Sequence, residues 1–131
     1  MEWNNYNSVN MVAPKGGVYY VDLTSGVDTR SGKTWGTALK TVQAAIDKAV
    51  DSAGTIIYVS GSATLTGTTG IIVNKTNVAI IGATNGTTSP SSGHCSITTT
   101  LGFGSGGTTA GAFACINIQK SKVRLENLRL T

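Results

Sequence analysis

Apolar and polar residues alternate along most of this chain, in short bursts separated by Gly-, Ser- and Thr-rich stretches. Strict alternation puts successive side chains on opposite faces of an extended backbone, so each burst reads as a strand with one buried face. On this basis residues 18–23 (VYYVDL), 55–60 (TIIYVS), 71–73, 78–81, 96–99, 116–118, 123–125 and 128–130 are expected strands. One segment has a different period. Leu39, Val42, Ile46 and Ala49 or Val50 recur at helical spacing, which predicts a helix over residues 41–50. Thr41 or Thr37 supplies its N-cap, and Gly54 takes the role of the C-terminal glycine. The helix has a single apolar stripe, with Leu39, Val42 and Ile46 as its core residues. Ala44, Ala45 and Ala49 let it approach a neighbour closely.

Two stretches match each other 45 positions apart. Residues 71–82 read IIVNKTNVAIIG and residues 116–127 read INIQKSKVRLEN. Ile71 aligns with Ile116, Val73 with Ile118, Lys75 with Lys120, Val78 with Val123 and Ile80 with Leu125. Each copy is a strand, a polar corner and a second strand. A unit that cannot bury its own apolar face implies stacking of successive copies. The expected fold class is therefore all-β, a solenoid of parallel strands with one N-terminal capping α-helix. Loops at residues 83–93 and 100–112 would bulge from its side. Residues 1–17 form an irregular arm ending in Pro14-Lys15-Gly16-Gly17, and residues 18–131 form the cap and first coils. Length allows one ordinary domain.

The segment from Tyr20 to Gly82 resembles the start of right-handed parallel β-helix proteins of the pectin-lyase-like superfamily. The likeness is carried by VDLTSGVDTRSGKTW with Gly26, Asp28 and Gly32, then Lys40-Thr41-Val42-Gln43-Ala44-Ala45-Ile46-Asp47, then Thr55-Ile56-Ile57-Tyr58-Val59. NVAIIG, CSITT and KVRLENLRLT follow as strands of later coils, so the resemblance covers residues 18–131. What it implies is a right-handed parallel β-helix. It implies no single activity, because the superfamily holds lyases, hydrolases, epimerases, phage tailspikes and adhesins.

Catalysis on such a scaffold needs carboxylates, either an acid paired with a base or nucleophile, or a cage of oxygens for Ca²⁺. Between Ser52 and Thr131 the chain has one, Glu126. Asp47 and Asp51 lie one helical turn apart on the expected helix and read as solvated. Asp22 and Asp28 fall in a Gly-rich loop, where Asp commonly holds turns. His94 beside Cys95 lacks metal-ligand spacing, and the Gly-rich run 102–111 lacks the Lys-Ser/Thr ending of a phosphate loop. No catalytic, cofactor-binding or metal site is expected in this segment. Cys95 and Cys115 are too few for a disulfide framework and are expected as free thiols, a bridge between them being the alternative. Of the aromatic residues, which could stack on sugars, Trp35 is expected to pack beneath the helix. Trp3 and Tyr6 sit in the polar arm and read as intermolecular contacts, together with Leu128 and Leu130 at the far end.

Net charge is +4, and Lys120, Lys122, Arg124 and Arg129 against Glu126 concentrate positive charge late in the chain. The cations alternate with Val123 and Leu125 and have no interleaved aromatics, so a solvated strand face is expected and not a nucleic-acid site. No run is long and apolar enough to span a bilayer, and the first residues lack the pattern of a secretory signal. A fold usually met outside cells, in a chain without that signal, suggests a protein released by lysis. The expected role is thus a non-catalytic structural or attachment part of a virion-associated tail fibre or tailspike, made in the host cytoplasm. Its partners would be a homo-oligomer, a trimer by resemblance to tailspikes, a larger virion assembly docked through residues 1–17, and a surface polysaccharide. The alternatives are the N-terminal part of a polysaccharide lyase or hydrolase whose active residues lie past Thr131, and a surface adhesin.

Overall fold

The computed structural model describes residues 15–67, 70–83, 95–101 and 116–130, with the backbone alone at 66, 67, 95–101 and 130. Trp3 and Tyr6, His94, Cys115 and the expected arm up to Pro14 lie outside these residues. Nine strands are described: β1 (Val18–Asp22), β2 (Thr55–Ser60), β3 (Ser62–Gly67), β4 (Ile71–Val73), β5 (Val78–Gly82), β6 (Cys95–Leu101), β7 (Ile116–Ile118), β8 (Val123–Glu126) and β9 (Leu128–Leu130). A 3-10 turn at Trp35–Thr37 and the helix α1 (Val42–Lys48) separate β1 from β2.

All strand pairing is parallel and falls into three sheets, ordered β1-β2-β5-β8, β3-β6-β9 and β4-β7. The pairing expected from the internal match is present. Ile71 pairs with Ile116 and Val73 with Ile118, while Val78 pairs with Val123 and Ile80 with Leu125.

The solenoid expected from that match is corrected. A solenoid repeats one unit at a constant spacing. Here the four-stranded sheet advances from Val18 to Ile56, from Thr55 to Val78 and from Val78 to Val123, steps of 38, 23 and 45 residues. The three-stranded sheet advances by 34 and 33, from Ser62 to Ser96 and from Ser96 to Arg129. The 45-residue match is one step among unequal ones. The protein is strand-dominated, built of three small parallel sheets of four, three and two strands, with few helical residues. Strand β3 has no counterpart among the expected strands. It is Thr-rich, and its two apolar residues, Ala63 and Leu65, give too short an alternation to stand out.

The core follows the alternation. Val21, Ile57, Val59, Val73, Val78 and Ile80 are fully buried, as are Leu39 and Ile46 from the segment between β1 and β2. Each such side chain contributes about 1.5–3 kcal/mol of burial free energy. Val42, Ala45 and Ile46 are the buried face of α1. Leu39 is buried as expected but lies outside the helix, where it forms a parallel bridge with Val21.

Thr41 is the N-cap of α1, its hydroxyl accepting from Ala44 N at 3.2 Å. Thr37 instead shares a capping box with Thr34 on the 3-10 turn. Gly54 does not end the helix. Ala49 is its C-cap, and Lys75 Nζ donates to Ala49 O at 2.6 Å, putting a cation on the negative helix end. Gly54 serves the sheet. With φ of 84° it precedes β2, as Asn77 (65°) precedes β5 and Lys122 (56°) precedes β8. These three left-handed residues form a corner where Thr55 N donates to Asn77 O and Asn77 N to Ser121 O. Glycine and asparagine tolerate this conformation, whereas lysine is strained in it.

Candidate functional site

The outer face of the four-stranded sheet carries the aromatic side chains that could act on a ligand. Alternation puts Tyr19, Val21, Ile57, Val59, Val78 and Ile80 inward and leaves Tyr20, Ile56, Tyr58, Ala79 and Ile81 half-buried on the other side. Register then lines up one row, Tyr20, Tyr58, Ile81 and Glu126, across all four strands. The adjacent row is Val18, Ile56, Ala79 and Arg124. With strands about 4.8 Å apart, each row crosses roughly 14 Å of sheet.

Trp35 extends the first row. It does not lie beneath the helix, as expected from the sequence, but on the 3-10 turn, 44% exposed. Residues 32–39 run beside β1, with Tyr20 N donating to Gly32 O at 2.7 Å, Asp22 N to Leu39 O at 2.8 Å and Leu39 N to Tyr20 O at 2.9 Å. This strap holds the Trp35 ring edge-on to Tyr20 at 4.9 Å. Tyr20 in turn stacks on Tyr58, 5.7 Å between centroids and 28° between planes. Gly26 lets the strap close, since a Cβ there would collide with the Leu39 carbonyl. The aromatic row thus depends on pairing between strands 38 residues apart.

Cations flank the row. An open depression of about 600 Å³ runs over Ile56, Ala79 and Ile81 to Asn77, Lys122 and Arg124. Arg124 Nε donates to Glu126 Oε1 at 2.8 Å, and among the described residues Lys122 beside this exposed pair has no ion-pair partner. Lys33 Nζ lies 4.1 Å from the centre of the ring of Tyr19, an inward residue of β1, and so does not belong to the outer row. The four late cations are all exposed but do not form the single strand face expected: Lys120 and Lys122 lie in the corner before β8, Arg124 is on β8, and Arg129 is on β9 of another sheet.

Asp22, Asp28 and Asp51 hold the backbone, and Asp47 a side chain. Asp22 Oδ1 accepts from Thr24 N at 2.9 Å and Ser25 N at 3.0 Å, the turn role expected for it. Asp28 accepts from Lys40 N and Thr41 N, both at 2.8 Å, and from the Thr41 hydroxyl. Asp47 accepts from Gln43 Nε2 at 3.1 Å. Asp51 is not on the helix, as expected, but beyond it, accepting from Thr76 N at 2.6 Å. That bond, chiefly, holds its carboxyl below the usual range; partial desolvation opposes it, and Lys120 and Lys75 add to it. Among the described residues no three His, Cys, Asp or Glu side chains gather as a metal site would need. Among the same residues no helix is long and apolar enough to cross a membrane.

A second concavity, about 460 Å³, opens between the start of α1 and strands β3 and β4. Leu23, Val42, Ala63, Leu65 and Ile71 line it. Its polar neighbours are committed. Lys40 Nζ donates to Thr24 O, Thr41 caps the helix, and Gln43 bonds the Ile72 backbone in both directions. Of the expected assembly contacts, Leu128 is half-buried at a sheet edge, and Leu130 is described by backbone alone. Sequence reasoning missed Tyr20, Tyr58 and Lys122 as a group. Outward alternation marks each tyrosine, but only register makes them neighbours. No protein-family model, curated protein or solved structure matches this chain.

Proposed function

We propose that this chain is a non-catalytic attachment module that holds a polysaccharide against the outer face of its four-stranded sheet. The observation that carries this reading is the Trp35–Tyr20–Tyr58 row, an exposed tryptophan continued by two half-buried tyrosines on the outer sheet face. Pyranose rings present faces of C–H bonds, and aromatic rings present electron-rich faces that attract them. Tyr20 and Tyr58 stack on each other, so the row offers a sugar the exposed Trp35 ring and the ring faces that this stacking leaves open. Lys122 and Arg124 line the depression beside the Ile81 end of the row, and they favour a glycan that carries carboxylates. The setting expected from the sequence, a tail fibre or tailspike of a bacterial virus, belongs to this proposal and rests on the sequence reading alone.

The test is intrinsic fluorescence of a Trp3→Phe variant, in which Trp35 is the only tryptophan left. Titration with an oligogalacturonate should change Trp35 emission, and a neutral oligoglucoside of equal length should bind more weakly. Tyr58→Ala should weaken acidic-glycan binding about tenfold, the loss of about 1.4 kcal/mol. A flat titration with both glycans, or binding indifferent to Tyr58→Ala, would overturn the reading.

A further inference from the structure

The sheet edges on the two sides of the molecule are treated differently. The outer edge of β1 is occupied by the strap at Gly32 and Leu39, and β4 is bonded by the Gln43 side chain. Strands β7, β8 and β9 are each terminal in their sheets. Among the described residues, each pairs only with the strand inside it. An unguarded edge presents a row of free N–H and C=O groups, which is a template for another strand.

Side-chain exposure shows the same asymmetry. Ile71, Val73, Val78 and Ile80 are 4% exposed or less. Their register partners Ile116, Val123 and Leu125 are only half-buried, and Ile118 is 46% exposed. Among the described residues, no strand lies over these side chains on the side away from β4 and β5.

We propose that β8 pairs antiparallel with β8 of a second copy of this chain, about a two-fold axis through Leu125. The choice of occupant comes from charge. Arg124 and Glu126 point to the same face of β8, on either side of Leu125. Antiparallel pairing centred on Leu125 sets Arg124 of each copy opposite Glu126 of the other, while the two Leu125 side chains meet on the inner face. A two-fold interface must be complementary to itself, and residues 124–126 of β8 are. The Arg124–Glu126 pair within one copy is then a resting arrangement that exchanges partners on association. The same axis keeps both outer sheet faces on one side, so the dimer carries two aromatic rows in one surface. The inference stands independently of what those rows bind.

Sedimentation equilibrium of the full chain, without glycan, tests it. The wild type should show a monomer–dimer equilibrium. Arg124→Glu sets Glu opposite Glu, Glu126→Arg sets Arg opposite Arg, and each variant alone should be monomeric at concentrations where the wild type is dimeric. Mixing the two variants should restore dimers, because both cross-pairs are then of opposite charge. A bond confined within one chain would show no recovery on mixing. Circular dichroism confirms that each variant is folded, and the wild-type measurement tests the proposal even if one is not. A wild type that stays monomeric, a trimer, dimers untouched by the single reversals, or a mixture that remains monomeric would overturn it.

Discussion

Gln43 bonds the edge of β4 as a neighbouring strand would, and its removal has a calculable cost. Its Oε1 accepts from Ile72 N at 2.8 Å, and its Nε2 donates to Ile72 O at 3.1 Å. Gln43→Ala deletes both bonds and leaves a half-buried N–H and C=O on the outer side of β4. Each intramolecular hydrogen bond contributes about 0.5–1.5 kcal/mol net, so the pair is worth about 1–3 kcal/mol. Alanine is the better helix former by at most about 0.3 kcal/mol, a small offset. Gln43→Ala should therefore destabilise the protein by about 1–2.5 kcal/mol in urea unfolding, with an unchanged m value. Gln43→Glu should do no better. Its carboxylate can still accept from Ile72 N, but it repels Ile72 O and stands one turn from Asp47. Amide exchange supplies a local readout, since Ile72 N–H should lose protection in both variants. A loss below about 0.3 kcal/mol, together with unchanged exchange at Ile72, would refute the claim that this side chain guards the sheet.

Two further predictions address the corner before the four-stranded sheet. Asp51 has a folded-state pKa lowered chiefly by the Thr76 N–H bond, with Lys120 and Lys75 contributing. Its stabilisation is thus fully present above the unfolded carboxylate value of about 3.9 and is lost as pH falls through the lower folded value. The stability gap between wild type and Asp51→Asn, read from urea midpoints, should be constant near neutrality and close as pH falls below about 4; a gap that stays constant to the acid end would contradict the assignment. Lys122 holds φ of 56° where the two other corner residues are Gly54 and Asn77. Lys122→Gly should stabilise by about 0.5–1 kcal/mol and Lys122→Val should destabilise by about 1–2 kcal/mol, so thermal unfolding of the two variants should move in opposite directions.

Local pattern alone settled a good deal of this protein. Alternation marks eight of the described strands and their buried faces, because a strand's two faces are written in every second residue. Thr41 is legible as a cap and Asp22 as a turn residue, since both act on backbone within three residues of themselves. The register of β4 with β7 and of β5 with β8 is also legible, because those strands match in sequence. What the pattern could not supply is which other strands become neighbours. That depends on the lengths of the connections between them, and the unequal steps of 38, 23 and 45 residues turn an apparent solenoid into three small sheets. The candidate site is a product of the same non-local choice. Tyr20 and Tyr58 stack only because β1 lies beside β2, and Trp35 joins them only because the strap runs along β1. Asp51 reads from sequence as solvated helix surface, and Gln43 only as part of the helix segment. Tertiary packing gave them backbone partners at Ile72 and Thr76, 29 and 25 residues away, where no local period could point.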